Sequence, residues 1–224
     1  MSIKICIIPT MNNIAKSHLF LLAFVLLTTI WSVIGVEDTY LTWILEAAPA
    51  IVGLLVLVFT YKKFRMPTYL YVVMALHMAV LLVGAHYSYA KVPLGFWMED
   101  WFGFTRNNYD KIGHLMQGVT PALVMIELLR RTTPIKTAGW TGFLSVCVAE
   151  AISALYEIIE WLASLSNPTD TEAFLGTQGY IWDTQTDMFM CLIGATVAVI
   201  IRLWGCAYIK GTKSQRLEVR DINL

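Results

Sequence analysis

Charge is scarce in this sequence, and an excess of basic residues is absent. Asp, Glu, Lys and Arg make up 14% of the 224 residues, 16 of each sign, for a formal net charge of zero. Binding to nucleic acid needs a surplus of Lys and Arg to neutralise phosphates, so this balance excludes nucleic acid as a partner. Cysteine is sparse as well. Cys6, Cys147, Cys191 and Cys206 have no C-x-x-C spacing, and none falls in a predicted outer loop, so neither a thiolate metal site nor a disulfide framework is expected. There is no glycine-rich phosphate loop, no G-x-S-x-G elbow, no heptad pattern, no internal repeat and no low-complexity tract.

What the chain has instead is hydrophobic length. Apolar residues make up 57% of it and the mean hydropathy is +0.62, values outside the range of soluble domains. Predominantly apolar stretches long enough to cross a hydrocarbon core of about 30 Å occupy residues 17–36, 40–61, 67–90, 110–129, 137–163 and 181–205. The fold class is therefore all-α: a polytopic membrane protein with six transmembrane helices, forming one integral membrane domain with a solvated cytoplasmic tail at 206–224. The first stretch follows Lys4 and Lys16 as a signal peptide would. Its apolar run is too long for one, and Glu37 and Asp38 separate it from the Ala-rich residues 47–50, so it is read as a retained anchor.

Positive residues stay on the cytoplasmic side. Lys4, Lys16, Lys62, Lys63, Arg65, Arg130, Arg131, Lys136, Arg202, Lys210, Lys213, Arg216 and Arg220 all fall at one side of the six spans, whereas residues 37–39 and 164–180 carry no Lys or Arg and residues 91–111 carry three. Both termini are therefore expected on the cytoplasmic side. Glu127, beside Arg130 and Arg131, reads as a surface ion pair on that side.

Six ionisable residues interrupt the last three spans: Asp110 and His114, Glu157 and Glu160, Asp183 and Asp187. At ~1.5 Å per residue the topology puts all six in one layer near the outer face. Residues three, four or seven apart share a helix face. Asp110, His114 and Gln117 thus form one stripe, Glu150, Glu157 and Glu160 a second, and Asp183, Asp187 and Cys191 a third. His86, Tyr87 and Tyr89 reach the layer from the third span, and Glu46 from the second. Asp110 and Asp183 also have an ordinary reading as helix N-caps, and His77, about half a helical turn round from His86, is read as packing against a neighbouring helix.

No such reading covers His114, Glu157, Glu160 and Asp187 together, because each uncompensated buried carboxylate costs several kcal/mol. Lys111, with Arg106 in the preceding loop, is too little cation for five or more carboxylates. Two explanations are left: a bound divalent metal, or protonation in a proton-linked carrier. A mixed imidazole and carboxylate set suits Zn²⁺, Mn²⁺ or Fe²⁺ better than Mg²⁺ or Ca²⁺. The metal reading takes His86, His114, Glu157, Glu160 and Asp187 as ligand candidates, Glu157 and Glu160 as catalytic carboxylates, and Asp110, Lys111, Gln117, Asp183 and Tyr156 as supporting or substrate-binding groups. It yields a metal-dependent membrane hydrolase or transferase acting on a lipid or lipid-linked envelope substrate. A carrier or small-molecule binding protein is the alternative, and a scaffold whose polar residues join helices is a third. Five aromatic residues between positions 93 and 104 read as an interfacial anchor or a lid over the polar layer, and residues 164–180 as a second cover.

The segments Arg106 to His114 (R-N-N-Y-D-K-I-G-H), Tyr156 to Trp161 (Y-E-I-I-E-W) and Gly179 to Met188 (G-Y-I-W-D-T-Q-T-D-M) resemble those of the YjdF family of bacterial inner-membrane proteins, over about residues 66–202. That resemblance implies a location, not an activity. A weaker one runs to the VanZ-like membrane proteins, whose Asp-Lys-x-x-His, Glu-x-x-Gln and Asp-x-x-x-Asn-x-x-Gly patterns are similar to Asp110 to His114, Glu157 to Glu160 and Asp187 to Gly194. Glu160 stands here in place of their Gln and Cys191 in place of their Asn, which makes this site more acidic.

Overall fold

The computed structural model describes residues 15–166 and 178–221, with side chains up to 165 in the first stretch and up to 203 in the second. Helix α1 spans Lys16–Val33, α2 Tyr40–Thr60 and α3 Thr68–Tyr87; a single 3-10 turn at Tyr89–Lys91 leads into the short α4, Pro93–Phe102. Then come α5, Tyr109–Thr132, α6, Ala138–Ser166, and α7, Asp183–Asp221. All but α4 are long and apolar enough to cross a membrane, α7 over Asp183–Leu203. The described residues contain no strand. Beyond its span, α7 runs on without a break to Asp221.

Local chemistry sets the helix ends. The Thr42 amide donates to Thr39 Oγ1 at 3.1 Å and caps α2, while Pro67, with no N–H to leave unpaired, stands before α3. Gly103 ends α4 with φ +68°, a left-handed conformation that glycine adopts without strain. Lys136 Nζ donates to the Thr133 carbonyl at 2.7 Å and to that of Arg130, supplying partners for orphan carbonyls where α5 stops. On that face, Glu127 pairs with Arg131 as expected, with Nε to Oε1 at 2.6 Å.

Helices α5, α6 and α7 form the tightest part of the bundle, α3 joins them through α5, and α1 and α2 each pack on α3. Between apolar helices in lipid there is little hydrophobic drive to associate, so close approach through small residues does the work. A Cβ on Gly118 would lie 2.0 Å from the Cys191 carbonyl oxygen, and one on Gly194 2.2 Å from that of Leu115. Helices α5 and α7 thus touch backbone to backbone, with Ala122, Ala149, Ala195 and Cys191 buried around the crossing. Cys191, on the helix stripe of Asp187, is fully buried and aims its Sγ at the Ala149 carbonyl 3.6 Å away.

Gly118→Ala forces rigid backbone apart, so it should lower the unfolding midpoint in detergent, at the upper end of the ~1–3 kcal/mol typical of overpacking. Gly139→Ala, where nothing lies within 4 Å of the new Cβ, should leave the midpoint unchanged or raise it. Equal midpoints for the two variants by thermal unfolding would contradict the α5–α7 contact.

Candidate functional site

The N-terminal turns of α5 and α7 meet at one end of the bundle, beside the last turns of α6 and α3 and the first turns of α2. Their acidic residues fall into two groups that share Asp187 and differ in how much cation each contains. In the outer group Lys111 Nζ lies 2.7 Å from Asp183 Oδ1, 2.7 Å from Asp187 Oδ1 and 3.2 Å from Asp110 Oδ2. Arg106 adds contacts of 2.8 Å to Asp110 and 2.6 Å to Asp183. The three aspartates have a mutual spacing that would suit a metal, but the ammonium and guanidinium already fill the space between them. Neither Asp110 nor Asp183 is an N-cap: Asn108 holds that position for α5, and Asp183 is the first residue of α7. Both stand in a first helical turn, near the positive end of the dipole, and are ion-paired as well.

The inner group consists of His114, Glu157 and Asp187, which are buried and each place a ligand atom within 4.8 Å of the others'. Lys111 reaches it only through Asp187, and Glu157 has no Lys or Arg partner among the described residues. His114 Nδ1 is 2.9 Å from Gln117 Oε1. That oxygen only accepts, so Nδ1 carries the proton and Nε2 presents a lone pair. Nε2 faces Asp187 Oδ1 at 3.6 Å, and Glu157 Oε1 lies 3.8 Å from the other ring nitrogen. Glu157 Oε1 is buried with no hydrogen-bond partner. The imidazole and the two carboxylates thus offer three donor atoms within 4.8 Å of one another, with Asp187 approaching the ring at Nε2 and Glu157 at Nδ1.

A cavity of about 160 Å³ adjoins this group. Asp110, His114, Gln117, Tyr156, Glu160 and Asp187, all picked out from the sequence, line it, and so do Glu46, His77 and Tyr89. Tyr156 stands edge-on to the His114 ring at 6.4 Å. Glu46 is 3% exposed with Oε2 unpartnered, and His77 Nε2 is unpartnered too. Burial, with Tyr156 and Glu46 nearby, pushes the Tyr89 phenol, just beyond α3, well above its ordinary value; it offers the cavity a neutral O–H. Pro49 of α2 and Pro121 of α5 also border the cavity. Lacking N–H groups, they release the Leu45 and Gln117 carbonyls from their helical bonds, yet neither helix breaks.

Two expectations are corrected. His86 turns away from the site: its Nδ1 is 3.2 Å from the Ser32 carbonyl of α1, and its ring stacks on Trp31 at 4.4 Å. It is His77, expected to pack on a neighbour, that faces the cavity. Glu150, on the stripe of Glu157 and Glu160, is not among the lining residues. The aromatic segment forms α4, with Trp97 and Trp101 at 55% and 66% exposure and no residue on the cavity, which is the anchor arrangement and not a lid. Of the second cover, residues 167–177 lie outside the described residues. Gln178, beyond them, clamps Asn107 by accepting from its N–H at 3.1 Å and donating to its carbonyl at 2.8 Å.

The fold and site define a six-span helical membrane protein with a buried polar cavity near one end of the bundle. Residues 17–207 match the family described as "Predicted membrane protein (DUF2238)", and the chain belongs to that family. It is 45% identical over 174 residues, 78% of this chain and 83% of the relative, to the inner membrane protein YjdF of Escherichia coli (strain K12). The protein is thus a multi-pass protein of the bacterial inner membrane. No solved structure matches it.

Lys111→Met removes the cation shared by three carboxylates that are 5–13% exposed. Breaking such a buried pair costs about 3–5 kcal/mol. Stability against denaturant should fall by that order, and Lys111→Met with Asp187→Asn should recover part of it. No difference between the single and double variants would show that the pairs are not coupled.

Proposed function

We propose that this protein is a metal-dependent membrane enzyme, a hydrolase or transferase, acting on a lipid or lipid-linked envelope substrate in the periplasmic half of the bilayer. The observation that carries the proposal is the unpartnered, buried Glu157 Oε1 facing His114, with Asp187 on the other side of the ring. His114, Glu157 and Asp187 are the ligands, Gln117 orients the imidazole from Nδ1, and Lys111 orients Asp187 from behind. The imidazole and carboxylate donors fit Zn²⁺, Mn²⁺ or Fe²⁺. Such an ion supplies Lewis acidity and lowers the pKa of a bound water.

Glu160 lines the same cavity and would serve as the general base for the attacking nucleophile. In that role Glu160 would also return the proton to the leaving group as its bond to the substrate breaks. Tyr89 and Tyr156 are donors for charge developing on the substrate. A lipid substrate is favoured by where the cavity is walled. Arg106, Lys111 and the Gln178 clamp on Asn107 stand at the end at which α5 and α7 start. Helix α2, carrying Glu46 and Pro49, packs on α3 and has no extended packing on α6 among the described residues. Access is therefore sideways, from the bilayer, and 160 Å³ admits the reacting group of a lipid and not its chains.

The purified protein should carry about one equivalent of Zn, Mn or Fe by elemental analysis, and His114→Ala and Glu157→Gln should each lose it. Glu160→Gln should keep the metal. Stoichiometry well below one after supplementation, or equal metal in all variants, would defeat the metal reading. Glu46, Glu157 and Glu160, none paired with Lys or Arg among the described residues, favour a proton-linked carrier as the second reading; flux in liposomes driven by a pH gradient and abolished by Glu160→Gln would establish it.

A further inference from the structure

The opposite end of the bundle has a second concavity. Helices α1 and α2 both pack on α3 but not on each other along their lengths. Side chains bridge them at two points: Trp43 Nε1 donates to Ser32 Oγ at 3.2 Å near the polar cavity's end, and His18 Nδ1 meets the Tyr61 hydroxyl at 2.8 Å at the other. Between the bridges the helices part, leaving a trough of about 450 Å³ walled by Leu22 and Val25 on one side and Leu54 and Val58 on the other, with Ala75 and Met78 as its floor. Beside the trough α2 packs closely on α3, where a Cβ on Gly53 would lie 3.1 Å from Met78 Cε.

At the mouth, beyond the His18–Tyr61 bridge, stand Lys62 and Lys63, both on the lining of the trough and both exposed. Neither makes an ion pair among the described residues, and Arg65 lies over the Tyr61 ring at 5.0 Å. Glu127, the one carboxylate in an ion pair near this end among the described residues, is taken by Arg131. An apolar channel in the hydrocarbon layer that opens on uncommitted cations at the interface complements one kind of molecule. Its interior takes an acyl chain and its rim takes a phosphate.

We infer that the α1–α2 trough is a binding site for an anionic phospholipid of the surrounding bilayer, one acyl chain lying on Ala75 and Met78 and the headgroup phosphate on Lys62 and Lys63. Soluble polar ligands do not fit a wall this apolar, and a zwitterionic lipid, though it offers the same phosphate, brings a cationic group of its own beside the lysines. The site is separate from the polar cavity at the far end of α2 and stands or falls independently of the metal.

Native mass spectrometry of the full, delipidated chain titrated with phosphatidylglycerol or phosphatidylcholine tests this. The wild type should bind phosphatidylglycerol at least about fivefold more tightly, as expected for roughly 1 kcal/mol per lysine at an anionic headgroup, and Lys62→Gln with Lys63→Gln should abolish the preference. Val58→Trp, at a position half exposed and so tolerant of bulk, should weaken both lipids by filling the trough. Arg130→Gln with Lys136→Gln, equal in charge change but away from the trough, should keep the preference. Equal binding of the two lipids by the wild type, or equal loss in both charge variants, would overturn the site and leave only general attraction to an anionic surface.

Discussion

One ammonium group organises the polar end of this protein. Lys111 reaches from the first turn of α5 to Asp183 and Asp187 of α7, at 2.7 Å each, while Asp110 holds it from its own helix. A lysine and three aspartates at this depth are individually expensive; joined, they fix the rotation of α7 against α5, because only one register lets both aspartates meet the same nitrogen. The backbone contact of Gly118 and Gly194 with the facing helix fixes the same register from below. Polar pairing and small-residue packing therefore specify one geometry, and that geometry brings Asp187 against His114.

The number of spans, their approximate limits and the layer of ionisable residues were legible because each depends on quantities a sequence carries directly: apolar length, charge position and rise per residue. What was not legible is orientation about the helix axis. His77 and His86 are nine residues apart, about half a turn out of phase, so only one of them can face the cavity. Depth favoured His86, and the structure selects His77. Local pattern places residues relative to one another on a helix and says nothing of which neighbour the helix turns toward. The same limit explains Cys191, on the stripe of Asp187 yet buried at the α6 contact, and Glu150 on the stripe of Glu157 and Glu160.

Asp110 and Asp183 illustrate a different gap. Their positions at helix starts were read correctly, but the dipole alone accounts for only ~0.3–1 kcal/mol in exposed settings. Arg106 and Lys111 supply the larger interaction. The pairing spans 77 residues for Arg106 to Asp183, a separation no periodicity rule covers. With those two carboxylates assigned to structural pairs, the candidate functional carboxylates reduce to Glu157, Glu160, Asp187 and Glu46.

The arrangement also separates rigidity from access. The ligand candidates sit on α5, α6 and α7, the helices in closest mutual contact, where small residues and ion pairs leave few alternative positions; a site that must hold a cation within a few tenths of an ångström is best built there. Helix α2 faces the same cavity with Glu46 and Pro49 but is supported by α3 alone along most of its length. A wall held on one side can give way to a substrate without disturbing the residues opposite. The division follows from packing: three helices lined with glycine and alanine close on each other, whereas the bulky Leu, Val and Phe of α1 and α2 keep those helices apart and facing lipid.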